Sequence, residues 1–383
     1  MLTSIFRWTH RHLTEGTVVL LDPDSGAEQK QAVLRAATYY RRFFRGEIAV
    51  QSDNPSFFKL LWMACRFRSV LTTGKYREPG FPINWLPWFH RIDPGIDAQA
   101  AWDWHIALSR TVKLPRDHRD TAYRAFQSLI ERLRARRVER SYVFGTGPSL
   151  ASADRRDFGD GYRIVCNTIV RDAGLMNQLK PDIIVAADAL YHFSDTAHAC
   201  AFREDLKARM RELDVTFCYP ALFEAYVRQE FSEFGERCIP IPTGGSADLT
   251  RDLLKDFRLP DMGNILGLML LPLACNLAKE VMLLGFDGRK PNDSLFWSNS
   301  ERHSYPSLVE QLSREYPAFY EKYVPRSSPM AYVQTFHGDT LDLALSTAEQ
   351  AGWRFVMMAP STSPALAKRP LEYANWNSSE SVR

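Results

Sequence analysis

Six short apolar segments, separated by stretches with helical spacing, constrain the fold of this chain more than any other feature. They begin at residue 141 and are SYVFGTG, YRIVCN, PDIIVAAD, DVTFCYP, KEVMLLGFD and WRFVMMAPS. Strands that are apolar throughout and alternate with helices are typical of βαβ units, whose parallel sheet is covered on both faces. The pattern therefore predicts an α/β fold: a Rossmann-like parallel sheet flanked by helices.

The first part of the chain carries a shorter succession of the same kind. TVVLLDPDSG, residues 17–26, predicts a strand that enters a turn, and a helix, a second strand near 47–51 and a second helix follow. Residues 76–96 are rich in Pro, Gly and Trp and predict a packed loop. We therefore expect three parts: an N-terminal α/β region of unknown role (residues 1–140), a Rossmann-like domain (residues 141–372) and a disordered polar tail (residues 373–383).

Composition and charge exclude several classes of protein. Apolar residues make up 45% and charged residues 24% of the 383 residues, which is close to the average for globular domains and argues against disorder. The formal net charge of +3 is too small to predict a nucleic-acid partner. Arginines cluster at residues 131–140, which predicts a solvated helix end more strongly than an anionic membrane contact.

The cysteines and the N-terminus bear on location. The six cysteines show no C-x-x-C spacing, which predicts buried free thiols of a cytosolic protein. No run of about 18 apolar residues occurs, and Arg7, His10 and Arg11 interrupt the N-terminus. We expect a cytoplasmic protein, and the sequence leaves open a peripheral association with the inner membrane and assembly into a homo-oligomer.

Small and polar residues occur where the predicted strands end. In parallel sheets, ligands bind outside the carboxyl ends of the strands. Gly145 and Gly147 allow backbone amides to approach a ligand, and Pro148-Ser149 is suited to begin a helix whose N-terminus faces an anion. The stretch lacks the later glycine of a dinucleotide fingerprint and the Lys of a P-loop. Two interpretations stay open: a phosphate-binding loop and an ordinary strand-to-helix turn.

Taken in order, several motifs resemble one known family. VFGTGPSL, IVCNTIV, IIVAADALYHF, AKEVMLLGFDG, FHGDT and VMMAPSTSPAL resemble the bacterial sialyltransferases that use CMP-sialic acid, and the wider family of motility-associated-factor-like glycosyltransferases. The resemblance covers about residues 141–366. It implies metal-independent, inverting transfer of a nonulosonic acid such as sialic acid from a CMP-sugar donor to a glycan acceptor, without a cofactor, in surface polysaccharide biosynthesis.

The resemblance also implies a donor-binding site. The residues that would contact the cytidine monophosphate are Gly145, Thr146, Gly147, Ser149 and Asn167. Where the family has an Asn after its third strand, this chain has Asp188. A carboxylate there could accept hydrogen bonds from sugar hydroxyls or hold a cation, but it would repel a donor carboxylate unless it were protonated or paired.

The GFDG motif would supply Gly285 and Asp287, with Asp287 available to accept from ribose or amide donors. The family has aromatic residues after this Asp that bond the leaving phosphate. Here Arg289, Lys290 or Tyr305 could stabilise that charge instead.

The resemblance places the general base at His337, which would take a proton from the acceptor hydroxyl. His303, in ERHSY, is the competing candidate and could instead close over the donor. Asn264 begins an apolar helix, where it could contact the donor sugar or cap the helix.

Two other functions stay open. The wider family also resembles archaeal pterin diphosphokinases, which use ATP, and in that case Asp188 and Asp287 would hold Mg²⁺. The third alternative is a non-catalytic protein that binds a nucleotide or a glycan. It predicts binding without turnover.

Overall fold

The structure is a computed structural model that describes residues 16–44, 46–52, 56–73, 89–92, 97–288, 302–316 and 339–372. The elements of the N-terminal region are β1 (Thr17–Leu20), α1 (Ala27–Tyr40), β2 (Ile48–Gln51), α2 (Phe57–Arg66), β3 (Ser69–Thr72), β4 (Phe89–Arg91), α3 (Asp97–Thr111) and α4 (His118–Arg134).

The later elements begin with β5 (Arg140–Phe144), a 3₁₀ helix (Pro148–Arg155), β6 (Tyr162–Cys166), a second 3₁₀ helix (Asn167–Arg171), α5 (Ala173–Leu179), β7 (Ile183–Val185), α6 (Ala189–His192), α7 (Ala197–Glu212) and β8 (Thr216–Pro220). They continue with α8 (Glu224–Glu230), β9 (Cys238–Ile241), a π-helical turn (Leu266–Leu270), α9 (Leu271–Leu277), β10 (Glu280–Leu284), α10 (Pro306–Glu315), α11 (Asp339–Gln350) and β11 (Arg354–Met357). Short 3₁₀ helices at Ala221–Phe223 and Ser232–Arg237 flank α8.

The large sheet confirms the predicted α/β fold. Its seven strands have the order β11-β10-β5-β6-β7-β8-β9, and all neighbouring pairs are parallel. The chain proceeds outward from β5 to β9 and then returns to the other side of β5 with β10. The strand order therefore reverses between β5 and β10, and such a switch point is where open parallel sheets bind their ligands.

The small sheet of the N-terminal region is also parallel, with the order β2-β1-β3-β4. Alternate residues of a strand face opposite sides of a sheet. Val19 and Leu71 belong to the same core cluster as residues of α1, whereas Val18 and Val70 cluster with α2. The two helices therefore cover opposite faces of the small sheet, and α1 faces the rest of the molecule.

Aromatic residues join the two sheets. The ring of Tyr40 on α1 stacks on Trp104 of α3 with 5.2 Å between the centroids, and its hydroxyl donates to the carbonyl of Phe193 at 3.2 Å. The hydroxyls of Tyr39 and Tyr226 are hydrogen-bonded at 2.5 Å. One hydrophobic core cluster contains residues from both sheets. The domain boundary at residue 140 stays a prediction, since the core crosses it.

The sequence missed two strands. β4 lies within the segment that was predicted to be a packed loop, and it pairs with β3. β9 has only four residues and includes Pro240, yet it pairs with β8 and forms one edge of the large sheet. Proline is tolerated on an edge strand because one side of that strand needs no ladder hydrogen bonds.

The cysteines correct part of the sequence-based picture. All six are free thiols, as predicted, but Cys65 and Cys200 are exposed rather than buried. Burial raises the pKa of the Cys166 thiol to about 12.

No helix in the described ranges is long and apolar enough to cross a membrane. The predicted disordered tail lies outside the described residues.

Candidate functional site

The loops that follow β5 and β10 are interlocked at the switch point of the large sheet. The amide of Gly145 donates to the carbonyl of Leu284, and the amide of Gly147 donates to the carbonyl of Gly285, both at 2.8 Å. Gly285 has a φ of 84°, and a Cβ atom there would overlap the carbonyl oxygen of Gly145. These glycines are therefore required for the close approach of the two loops, whatever they bind.

Asp287 is the polar centre of this contact. Its carboxylate accepts the amide of Ser149 at 3.1 Å and the hydroxyl of Ser149 at 2.9 Å. In turn, the amide of Gly285 donates to the Ser149 hydroxyl at 3.1 Å. Partial burial raises the pKa of Asp287, and the hydrogen bonds from Ser149 oppose that rise. The acidic side chain thus occupies the helix start where the sequence suggested a phosphate.

This arrangement decides part of the question that the glycine loop raised. The Ser149 amide already donates to Asp287, so the loop does not require a bound anion to complete its hydrogen bonds. A carboxylate offers about four lone-pair positions. Asp287 therefore keeps capacity to accept from a ligand donor, which is the role that the family resemblance implies for it.

The loop after β11 reaches the same place. The amide and hydroxyl of Thr362 both donate to the carbonyl of Asp287, at 2.6 and 3.1 Å. Sequence reasoning did not single out Thr362. The signal was present, because the polar stretch Pro360-Ser361-Thr362-Ser363 follows a predicted strand of the parallel sheet.

Asn167 follows β6 directly and has two unusual features. Its φ is 52°, in the left-handed region that few residues other than glycine adopt. Its side-chain oxygen is buried and has no hydrogen-bond partner among the described residues. A buried unsatisfied polar atom costs about 1–3 kcal/mol, and strained residues cluster at functional sites. Asn167 is therefore a strong candidate for ligand contact.

Asp188 follows β7 and caps the short helix α6. Its carboxylate accepts the amide of Tyr191 at 2.8 Å, while its own amide donates to Nδ1 of His192 at 3.0 Å. Burial raises the pKa of Asp188 to about 6, although the amides of Tyr191 and Leu190 counteract it. Burial also keeps the pKa of His192 well below its usual value, so that its ring is neutral and can accept this bond.

These residues form a row along the carboxyl edge of the large sheet. Asp287, the glycine loop, Asn167 and Asp188 follow β10, β5, β6 and β7, which are consecutive in the sheet. With ~4.8 Å between neighbouring strands, the ends of β10 and β7 lie about 14 Å apart. We call these residues the switch-point row. Its length suits an extended ligand.

The same spacing bears on the proposed Mg²⁺ site of the diphosphokinase alternative. Mg²⁺ binds its oxygen ligands at about 2.1 Å. Asp287 is held by Ser149 and Asp188 by Tyr191, on elements separated by two strands. The described residues contain no group of three or more His, Cys, Asp or Glu that could hold a metal. The geometry therefore disfavours one cation shared by Asp188 and Asp287.

The structure buries His303 beside the row. Its Nε2 is 3.1 Å from the carboxylate of Asp172, and its carbonyl accepts the hydroxyl of Thr168 at 2.6 Å. Burial lowers the pKa of His303, while the charge of Asp172 raises it. Arg302 adds an ion pair to Asp172 at 2.7 Å. His303 thus anchors its segment to the 3₁₀ helix that begins at Asn167, which suits a structural role better than proton abstraction.

Tyr305 is anchored in a similar way. It is buried, its hydroxyl donates to Asp205 of α7, and burial raises the pKa of its phenol. The guanidinium of Arg171 lies 4.9 Å from the centre of its ring. The hydroxyl is therefore engaged by Asp205 rather than directed to a phosphate, and its predicted role in stabilising the leaving group has no support from this geometry.

The remaining predicted residues divide into two groups. The side-chain oxygen of Asn264 accepts the amide of Gly267 at 2.9 Å, so it caps the π-helical turn, which was one of its two predicted roles. Thr146 is half-buried within the glycine loop. His337, Arg289 and Lys290 lie outside the described residues, and their assignments stay predictions.

The fold and the row together define a class: a protein with a Rossmann-like parallel sheet and a polar site at its switch point. Comparison of the chain with protein-family models, curated proteins and solved structures gives no match. The resemblance to sialyltransferases therefore stays a prediction from the motifs.

Proposed function

We propose that this protein is a glycosyltransferase that moves a nonulosonic acid such as sialic acid from a CMP-activated donor to a glycan acceptor, with inversion. The observation that supports this most is the switch-point row, since it lies where parallel α/β sheets bind nucleotides. The motifs in the sequence make a CMP-sugar the preferred nucleotide ligand.

The donor would lie across the four strand ends. Its nucleoside would be next to Asp287, whose carboxylate is held in place by Ser149 and can still accept from ribose or base donors. Its sugar would extend toward Asn167 and Asp188. The unsatisfied oxygen of Asn167 would accept one hydrogen bond from the donor, which removes the cost of leaving it unpaired.

Asp188 provides a test of the identity of the sugar. A nonulosonic acid carries a carboxylate next to its anomeric carbon, and an ionised Asp188 would repel it. Because burial raises the pKa of Asp188 to about 6, mild acidification protonates it and lets it donate a hydrogen bond. We expect the affinity for a CMP-nonulosonic acid to rise as the pH falls through this value, and the Asp188→Asn protein to lose that dependence.

The chemical step would be a direct displacement. The acceptor hydroxyl oxygen attacks the anomeric carbon, the bond from that carbon to the phosphate oxygen breaks, and CMP leaves with the bonding electrons. The attacking hydroxyl gives its proton to the base, for which we propose His337. Removal of such a base lowers turnover by about 10²–10⁴-fold, so a fully active His337→Ala protein would exclude this assignment.

The experiment that tests the function is a thermal-shift screen with CMP, CDP, UDP, GDP, ADP and ATP, each with and without Mg²⁺. A ligand at ~100 times its dissociation constant stabilises the fold by about 2.7 kcal/mol. Metal-independent stabilisation by cytidine nucleotides alone is the expected result, and release of CMP from CMP-sialic acid in the presence of glycan acceptors then separates an enzyme from a binding protein. Stabilisation only by ATP with Mg²⁺ would overturn the proposal.

A further inference from the structure

Helix α2 is apolar on two opposite faces. Leu60, Met63 and Ala64 are buried against the small sheet. The other side exposes 79% of Phe58, 56% of Trp62, 45% of Phe57 and 39% of Leu61. We call Phe57, Phe58, Leu61 and Trp62 the outer face of α2. A helix with apolar residues on a solvent-exposed face usually contacts another molecule there.

The outer face lies at the periphery of the protein. α2 covers the side of the small sheet that is opposite to α1, and α1 is the helix that packs toward the large sheet. Among the described residues, the core between α2 and the small sheet contains five buried hydrophobic residues. The outer face is therefore directed away from the switch-point row. A partner bound to the outer face would leave the row accessible.

The size of the outer face argues against a protein dimer as its occupant. Its exposed side-chain area is on the order of 400 Å², given 150–250 Å² for each aromatic side chain. A stable interface buries about 800 Å² on each partner. A helix that presents Phe, Trp and Leu on one face is instead typical of helices that lie in the headgroup region of a bilayer.

Charge favours an anionic bilayer. On a helical wheel, Lys59 and Arg66 border the outer face next to Trp62. The first 73 residues contain ten Lys and Arg against six Asp and Glu, a net charge of +4, whereas the whole chain carries +3. The excess positive charge is thus concentrated in the region that contains α2. Basic residues near an apolar surface attract anionic lipids.

Most arginines of the cluster at residues 131–140, the other basic feature of the sequence, contact other groups of the protein. Arg132 pairs with Asp214 at 3.2 Å, Arg134 donates to the carbonyl of Asn276, and Arg140 pairs with Glu280. Those guanidinium groups stabilise helix and strand ends, which agrees with the solvated-helix interpretation of the cluster.

We propose that the outer face of α2 is a membrane-contact surface, which inserts Phe58 and Trp62 among the headgroups of an anionic bilayer while the exposed Arg66 at its border faces the lipid phosphates. The proposal is independent of the catalytic function, because no residue of the switch-point row takes part in it.

Vesicle sedimentation tests the surface. The full chain should sediment with vesicles that contain phosphatidylglycerol and much less with phosphatidylcholine alone. Phe58→Ser/Trp62→Ser should lower the partition coefficient about tenfold or more, since both inserted rings are lost. The matched control is Leu343→Ser/Leu371→Ser, which removes two exposed leucines of the large-sheet region, 69% and 40% exposed, and should bind as the wild type does. Equal binding of both double variants, or no binding of the wild type, would overturn the proposal.

The exposed thiols provide a second, independent readout. Cys65 lies on the outer side of α2 and Cys200 on α7, and both are exposed. An environment-sensitive fluorophore on Cys65, in a Cys200→Ser protein, should shift to the blue when anionic vesicles are added. The same fluorophore on Cys200, in a Cys65→Ser protein, should not respond. A blue shift at Cys65 that depends on protein concentration without lipid would identify a second copy as the occupant and refute the membrane contact.

Discussion

The small and large sheets have the same kind of topology but different strand ends. Both are parallel, and both reverse their strand order once, between β1 and β3 in one and between β5 and β10 in the other. In the large sheet the loops at the reversal overlap so closely that Gly285 and Gly147 leave no room for a Cβ atom. In the small sheet, Gly26 follows β1 with open space around it. A reversal of strand order therefore does not by itself create a binding site.

The polar groups at the strand ends also differ between the two sheets. At the small sheet, the amide of Asp22 donates to the hydroxyl of Thr73, and that hydroxyl donates to the carbonyl of Leu20. An unsatisfied buried side-chain oxygen occurs at a strand end of each sheet, on Gln51 of β2 and on Asn167 after β6. The large sheet adds a left-handed backbone at Asn167 and, after β7, the carboxylate of Asp188, whose pKa is raised to about 6 by burial. Features that reduce stability without a structural benefit are typical of binding sites. The contrast supports a ligand at the large sheet.

The largest expected effect concerns the glycines. Gly285→Ala places a methyl group against the carbonyl of Gly145 in a left-handed conformation, and we expect it to lower the free energy of unfolding by about 3 kcal/mol or more. Gly26→Ala, at the start of α1, has open space and a φ of −59°, and should change it by less than about 1 kcal/mol. Urea denaturation of both variants measures the difference. Equal effects would show that the interlocking of the loops is not tight.

The second effect concerns Asp188 and depends on pH. The pKa of Asp188 is raised from 3.8 to about 6 in the folded protein. The free energy of unfolding therefore decreases as the pH rises toward 6, because the buried carboxyl must then lose its proton. Asp188→Asn should therefore stabilise the protein by about 2 kcal/mol at pH 8, a value reduced for solvent access, and hardly at all at pH 4. The same variant should lose the pH dependence of its affinity for the donor. Thermal unfolding across this pH range measures the stabilisation.

Asp342 provides a control of opposite sign. Hydrogen bonds from Arg369 and Lys368 lower the pKa of its carboxyl. Its contribution to stability is present above the usual pKa of an Asp and is lost as the pH falls. Asp342→Asn should therefore destabilise the protein at neutral pH, and the difference should vanish in acid. If both variants had the same pH profile, the assigned environment of Asp188 would be wrong.

The third effect separates ligand contact from backbone strain. Asn167→Gly relieves the left-handed backbone and removes the unsatisfied oxygen, so we expect it to stabilise the free protein by about 1 kcal/mol and to reduce the thermal shift by nucleotide. Lys180 has a φ of 43° at the end of α5 and serves as a matched control. Lys180→Gly should stabilise by a similar amount and leave the thermal shift unchanged. An unchanged nucleotide response in Asn167→Gly would remove Asn167 from the site.

Periodicity was sufficient to predict the α/β fold, because most strands of the large sheet are continuous apolar runs between helices. It failed for β9, whose four residues include a proline, and for β4, which has three residues in a segment rich in proline and glycine. Strands this short are specified by the neighbour with which they pair. β4 exists because β3 offers it a free edge, and a local pattern does not contain that information.

The position of the candidate site was also predictable, since the carboxyl ends of parallel strands share one edge. What each residue does there was not. Ser149 and Asp287 are 138 residues apart in the chain, so their hydrogen bond depends on the order of β5 and β10 in the sheet. The burial that raises the pKa of Asp188 likewise comes from packing. The sequence identified the residues, and the contacts between distant segments determine their chemistry.

The smallest expected effect is at α2. Its sequence, FFKLLWMACR, is apolar around most of the helix, so periodicity could not indicate which face is buried. Trp62 is 56% exposed and Met63 is fully buried. If the outer face serves an external contact, Trp62→Ser should change the free energy of unfolding in the absence of lipid by less than about 0.5 kcal/mol, whereas Met63→Ala should cost about 2–5 kcal/mol. Urea denaturation without vesicles distinguishes the two, and a large loss in Trp62→Ser would mean that this side chain supports the small sheet itself.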